Sequence, residues 1–254
     1  MIVLTIAAAT FREAVRARVF LYLLVVAACA IAGSVPAAEL GIGEELRLVI
    51  DVSIAGSSYV CVFLAIFLGV SAVSGEVERR TVYTVIAKAA SRTEFVFGKF
   101  LGVWATVCVA VLASYALIFA LVALLGKGAN PSLLSPMFMA LLEMGLLVAL
   151  ATFFSCISKP ILSSGFTVAL YLTGVSLKSL MFWVERSKNE GSAGLFKGLY
   201  WLLPNFQIFD VRTEVVHHVS IPLATHLWAL LYAVAYGAAL LTLASLIFDR
   251  RDLK

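Results

Sequence analysis

Apolar residues fill six stretches of the chain almost without interruption: 19–35, 52–74, 100–125, 133–157, 161–184 and 227–248. Their interiors hold a single acidic residue, Glu143, and a single basic one, Lys178. A helix on the surface of a water-soluble domain keeps a polar face, so runs this uniform do not suit one. A bilayer requires them, because a helix crossing its hydrocarbon core needs about 20 mostly apolar residues. The pattern predicts an all-α membrane protein with six transmembrane helices. Composition agrees: 62% of the residues are hydrophobic and 13% charged, against about 25% charged in an average globular domain. One six-helix domain over 1–254 leaves little chain for a soluble domain.

The first stretch is the shortest. The segment before it is too long and too helical in pattern for the head of a signal peptide, and the proline in Ser34-Val35-Pro36-Ala37-Ala38 makes a poor cleavage site. An uncleaved helix is therefore expected.

Charge collects between the spans and does so unevenly. With a cytoplasmic N-terminus, six spans return the C-terminus to the same side. The inner segments then hold Arg12, Arg16, Arg18, Arg79, Arg80, Lys88, Arg92, Lys99, Lys159, Arg250, Arg251 and Lys254, twelve of the 19 basic residues. The first outer loop is acidic, with Glu39, Glu44, Glu45 and Asp51 against Arg47. The positive-inside bias places both termini in the cytoplasm and the chain in the cytoplasmic membrane. The net charge of +4 reflects this orientation and is no sign of a nucleic-acid partner.

Three segments outside the spans carry further information. In 1–18, Leu4, Ala8, Phe11 and Val15 fall on one helical face, with Arg12, Glu13 and Arg16 on another. This predicts an amphipathic helix on the inner membrane surface, its cations toward headgroups or a protein partner. In 75–99, Val82, Val85, Ile86 and Ala89 give a short apolar face, with Glu78, Arg79 and Lys88 off it. Ser91-Arg92-Thr93-Glu94 then reads as a capping box, so a new helix starts in the cytoplasm and runs on into the third span. A charged helix held between two spans can transmit force from a soluble partner; it can equally be a solvated loop. In 185–225, Leu195–Leu203 is apolar and aromatic but too short to span. A pair of short outer re-entrant or interfacial helices is expected there, with Tyr200 and Trp201 at the interface.

Chemistry-bearing clusters are sparse. Cys29, Cys61, Cys108 and Cys156 sit singly in four spans, as small apolar packing residues do. His217, His218 and His226 match no zinc spacing, so no metal is expected. No HExxH or GxSxG motif occurs, and no catalytic residue is assigned. Glu143 stands apart, because an ionisable group deep in a span is costly and faces the bundle interior or a wet path. Two roles fit it: a pair with Lys178 that holds two helices together, or a group lining a substrate path.

The inner segment also resembles the inner loop of ABC-2-type permeases, the transmembrane subunits of ATP-binding-cassette transporters. That loop typically shows a Glu-x-Glu pair, a Gly-Thr, an Arg and a Gly-Lys; this chain has Glu76 and Glu78, Thr81, Arg92, and Gly98-Lys99. Phe11-Arg12-Glu13 followed by Arg16 resembles the Arg-Glu…Arg pattern ahead of the first span, and the six-span layout matches over nearly the whole chain. Arg80 departs from the usual glycine and Ala89-Ala90 from a common proline. The resemblance implies a cytoplasmic coupling helix between spans 2 and 3, and export powered by ATP. It also implies two copies of a separate ATPase that holds ATP and Mg, and a second transmembrane subunit, identical or homologous. Contact with the ATPase would fall to Glu76, Glu78, Arg79, Arg80, Thr81, Arg92 and Lys99, together with Arg12, Glu13 and Arg16. The 254 residues contain no Gly-x4-Gly-Lys-[Ser/Thr] loop, so ATP hydrolysis is expected in the partner. Two other classes fit the residues alone: an ion- or proton-coupled secondary carrier with Glu143 as coupling group, and a non-transporting membrane scaffold.

Overall fold

A computed structural model of the chain describes residues 2–38, 45–78, 91–125, 131–186, 203–216 and 221–250. They form helices α1 (Ile2–Arg16), α2 (Arg18–Ala38), α3 (Glu45–Glu78), α4 (Arg92–Leu124), α5 (Leu134–Ile157), α6 (Pro160–Arg186), α7 (Arg212–Val216) and α8 (Leu223–Arg250). Single 3-10 turns lie at Pro131–Leu133 and Phe206–Ile208, and there is no strand among the described residues. Six helices, α2, α3, α4, α5, α6 and α8, are long and apolar enough to cross a membrane.

α5 is the hub. It packs on α3, α4, α6 and α8, and Met139, Met144, Leu146, Leu147 and Leu150 on it are at most 2% exposed. Lipid tails are as apolar as leucine, so hydrophobicity alone cannot hold such helices together; close approach and interhelical hydrogen bonds do. Both are present between α3 and α5. Gly69 lies so near Ala151 that an added Cβ would sit 2.6 Å from the alanine's own. The Ser155 hydroxyl accepts from the Ser74 N–H at 3.0 Å and donates to the Val70 carbonyl at 2.8 Å. Ser53 on α3 donates to Ser34 on α2 at 2.9 Å. Outward, α2, α6 and α8 present Leu21, Tyr22, Ile161, Leu172, Trp228 and Val234, all exposed, which is the perimeter a bilayer would wet.

Two ends of the bundle can be told apart. At the first, called here the terminal end, α1 lies along the first turns of α4, and Arg92 meets the end of α8. At the other, the distal end, the 204–216 segment packs on α6 and α8.

α1 divides into three faces. With successive residues about 100° apart, Val3, Ile6, Ala7, Thr10 and Ala14 form one face, and it is this one that packs on α4. The stripe of Leu4, Ala8, Phe11 and Val15 lies roughly 100° round from it, and Leu4 is 70% exposed. Thr5, Arg12 and Arg16 make the exposed polar third.

Candidate functional site

α4 starts where the capping signal places it. Ser91 Oγ accepts from the Glu94 N–H at 3.2 Å, and the Glu94 carboxylate accepts from the Ser91 N–H at 2.9 Å. This satisfies two of the N–H groups that a helix start leaves open. Ser91→Ala and Glu94→Ala are each expected to lower stability by about 1 kcal/mol. The two losses should not add, because each change removes the same box. Unfolding of the single and double variants in detergent checks this; full additivity would mean that the box does not act as a unit.

One residue on, the Arg92 guanidinium donates to the carbonyls of Phe248 at 3.1 Å and Asp249 at 2.8 Å. Those carbonyls end α8, where orphan acceptors and the helix dipole both favour a cation. Phe95 stacks on Phe248 with centroids 5.9 Å apart. The first turn of α4 is thus fastened to the last turn of α8.

Lys99 is not on a solvated loop. It lies inside α4, is 5% exposed, and holds its ammonium 5.7 Å from the centre of the Phe95 ring. Gly98 and Gly102 on either side admit α1. A Cβ on Gly98 would meet Ile6 at 2.8 Å, and one on Gly102 would meet the Ala7 carbonyl and Thr10 at 2.6 Å. Arg12, Glu13 and Arg16 on α1 are exposed. Glu76 and Glu78 belong to the last turn of α3, but their side chains lie outside the described residues, as do Arg79, Arg80, Thr81 and the whole of 79–90.

A second polar group of residues lies toward the distal end. α5, α6, α3, α4 and the 206–212 segment line an open cavity of about 150 Å³, whose lining includes Tyr59, Tyr115, Glu143, Tyr171, Gln207 and Arg212. The Tyr171 hydroxyl donates to Glu143 at 3.1 Å. Lys178 is seven residues further along α6, on the same helical side as Tyr171, and its side chain lies outside the described residues. Above Glu143, Arg212 donates to Asp210, with Nε–Oδ1 at 3.0 Å. That bond holds the guanidinium's pKa above its ordinary value. The roof is seated by three contacts. Phe206 packs edge-on against Tyr171 at 5.0 Å. Tyr232 accepts from the Asn205 N–H at 2.8 Å, and Gln207 donates to the Val175 carbonyl. Gly174 makes room for them, since a Cβ there would run into the Pro204 carbonyl.

Tyr171, Tyr115, Asp210 and Arg212 escaped the sequence reading. Asp210-x-Arg212 was findable, as the charged pair that interrupts an apolar outer segment after Pro204-Asn205. The tyrosines carried no signal, because in an apolar span tyrosine reads as packing. His226 shares a 2.7 Å hydrogen bond with Ser135 and contacts the Pro222 carbonyl. Among the described residues no cluster could hold a metal ion.

A family model described as ABC-2 family transporter protein fits residues 4–253. No curated protein matches the chain.

Proposed function

Since the chain belongs to the ABC-2 family of transporter membrane proteins, we propose that it exports substrate with energy from a separate ATPase, present in two copies and holding ATP and Mg. It works beside a second transmembrane subunit, identical or homologous. The terminal end faces the cytoplasm, both chain termini with it, and 75–99 is the segment that meets the ATPase. The observation that carries this reading is the fastening of α4. Its first turn is bonded to the end of α8 through Arg92, and α1 is seated on Gly98 and Gly102. A push on the preceding segment therefore moves α1, α4 and α8 together, and α4 and α8 both pack on α5, the helix that carries Glu143.

Glu78→Arg/Arg92→Glu in the assembled complex tests it. ATP hydrolysis should persist while transport into proteoliposomes falls about tenfold or more, the equivalent of ~1.4 kcal/mol of lost coupling. Parental transport in this variant would remove 75–99 from the coupling role. The position of Glu143 in a cavity that Tyr171 and Arg212 also line favours one second reading, a proton-coupled carrier. That reading requires transport driven by a pH gradient in vesicles that lack the ATPase.

A further inference from the structure

The cavity toward the distal end brings a carboxyl group and three tyrosines together from four spans. Tyr59 comes from α3, Tyr115 from α4, Glu143 from α5 and Tyr171 from α6. Two of these groups have hydrogen-bonding capacity to spare. A carboxylate offers about four acceptor positions on its two oxygens. Among the described residues Glu143 uses one, on Oε1, for the Tyr171 hydroxyl, and no cation there is paired with it. Tyr115 is 2% exposed, yet its hydroxyl makes no hydrogen bond among those residues. A polar atom without a partner is either shut in or open to a space. Among the described residues the Thr10 hydroxyl is the one shut in. Glu143 Oε2 and the Tyr115 hydroxyl therefore both open into the cavity that their residues line.

Charge decides what would fill that space. Arg212 also lines the cavity, but Asp210 holds its guanidinium at two points, Nε–Oδ1 at 3.0 Å and Nη2–Oδ2 at 3.3 Å. Asp210 lines the cavity beside it, and the pair is neutral as a unit. With those two cancelling, one negative charge remains, on Glu143. An ionised carboxylate is costly inside a span, and a cation against it offsets that cost. The tyrosines extend the same preference. The face of an aromatic ring is negative, and it attracts a cation within about 6 Å of its centre. Tyr59 and Tyr115 make no contact with another ring among the described residues, so no stacked ring competes for their faces.

We propose that the substrate reaches this cavity as a protonated amine, a small organic monocation. Its N–H groups donate to Glu143 and to the Tyr115 hydroxyl, and its charge lies against the tyrosine rings. A neutral compound would leave the carboxylate without a counter-charge, and an anion would be repelled by it. A quaternary ammonium would bring charge but no donor for either oxygen. The inference rests on the transport reading above and names its substrate class.

Isothermal titration calorimetry of the full-length protein in maltoside micelles, near neutral pH, tests it with four probes that share one aromatic body. They are phenethylamine, its N,N,N-trimethyl derivative, phenethyl alcohol and phenylpropionate. The amine is protonated there, as lysine is. Phenethylamine should bind about tenfold more tightly than the alcohol or the carboxylate, one charge-assisted contact's worth. It should bind about fivefold more tightly than the trimethyl derivative, the equivalent of one hydrogen bond. Glu143→Gln, whose amide oxygen can still accept from Tyr171, should bring the amine down to the level of the alcohol. Tyr115→Phe should weaken the amine about fivefold and leave the melting temperature unchanged, because the lost hydroxyl has no bond to break. The inference is overturned by an amine that binds no more tightly than the alcohol or the trimethyl derivative. It is equally overturned by a preference for the amine that survives Glu143→Gln, or by unchanged amine affinity in Tyr115→Phe. The two readings fail separately. ATPase-driven transport of some other compound without phenethylamine binding sinks the substrate class alone. A lack of any ATPase-dependent transport sinks the function whichever probe binds.

Discussion

Glu143→Leu should abolish transport while leaving a folded, membrane-inserted protein. The carboxylate accepts the Tyr171 hydroxyl at 3.1 Å and faces a cavity that Arg212 also lines. On the substrate-path reading, leucine removes the carboxyl group that lines the cavity, and it strands the tyrosine hydroxyl. Loss of that single buried bond destabilises by about 1–3 kcal/mol, partly offset because an ionisable group has left the interior of a span. Glu143→Gln separates the two effects. Its amide oxygen can still accept from Tyr171, so stability should stay near the parent while transport falls. Tyr171→Phe completes a double-mutant cycle, with an expected coupling of about 0.6–1.7 kcal/mol, the range of interhelical hydrogen bonds in membranes. If Glu143→Leu matched the parent in both stability and transport, the carboxylate would have neither role.

The second large effect is expected at Gly102. A Cβ there would sit 2.6 Å from the Ala7 carbonyl and 2.6 Å from the Thr10 Cβ. Backbone cannot rotate aside as a flexible side chain can, so α1 has to move as a body. Gly102→Val should cost about 1–3 kcal/mol of stability and release α1 from α4, seen as faster proteolysis of the N-terminal segment and as hydrolysis uncoupled from transport. Gly165→Ala is the control. It lies within α6 with nothing inside 4 Å of the added Cβ, so alanine should be neutral or stabilising by about 0.4–1 kcal/mol. Equal losses at both positions would show that the close approach of α1 and α4 is not what Gly102 provides.

Much of this protein could be read from its order of residues, and the reason is local. A bilayer imposes one rule on every spanning segment, so uninterrupted apolar runs mark α2, α3, α4, α5, α6 and α8 without knowledge of their neighbours. The capping box at Ser91 and Glu94 is equally local, since both partners lie within one turn. Partners far apart in the chain were beyond that reach. Nothing in the sequence brings Tyr171 to Glu143 across 28 residues, or Arg92 to the Phe248 carbonyl across 156. α1 shows the difference most directly. Its hydrophobic periodicity singles out Leu4, Ala8, Phe11 and Val15, a face suited to lipid. Its packing uses Val3, Ile6, Ala7 and Thr10 against two glycines, because in an apolar solvent helices associate where their backbones can approach, and not where they are most hydrophobic. That same approach buries Lys99 and leaves the buried Thr10 hydroxyl without a hydrogen-bond partner among the described residues. Composition and pattern settle which segments cross the membrane; which polar groups meet inside it is decided by how closely those segments pack.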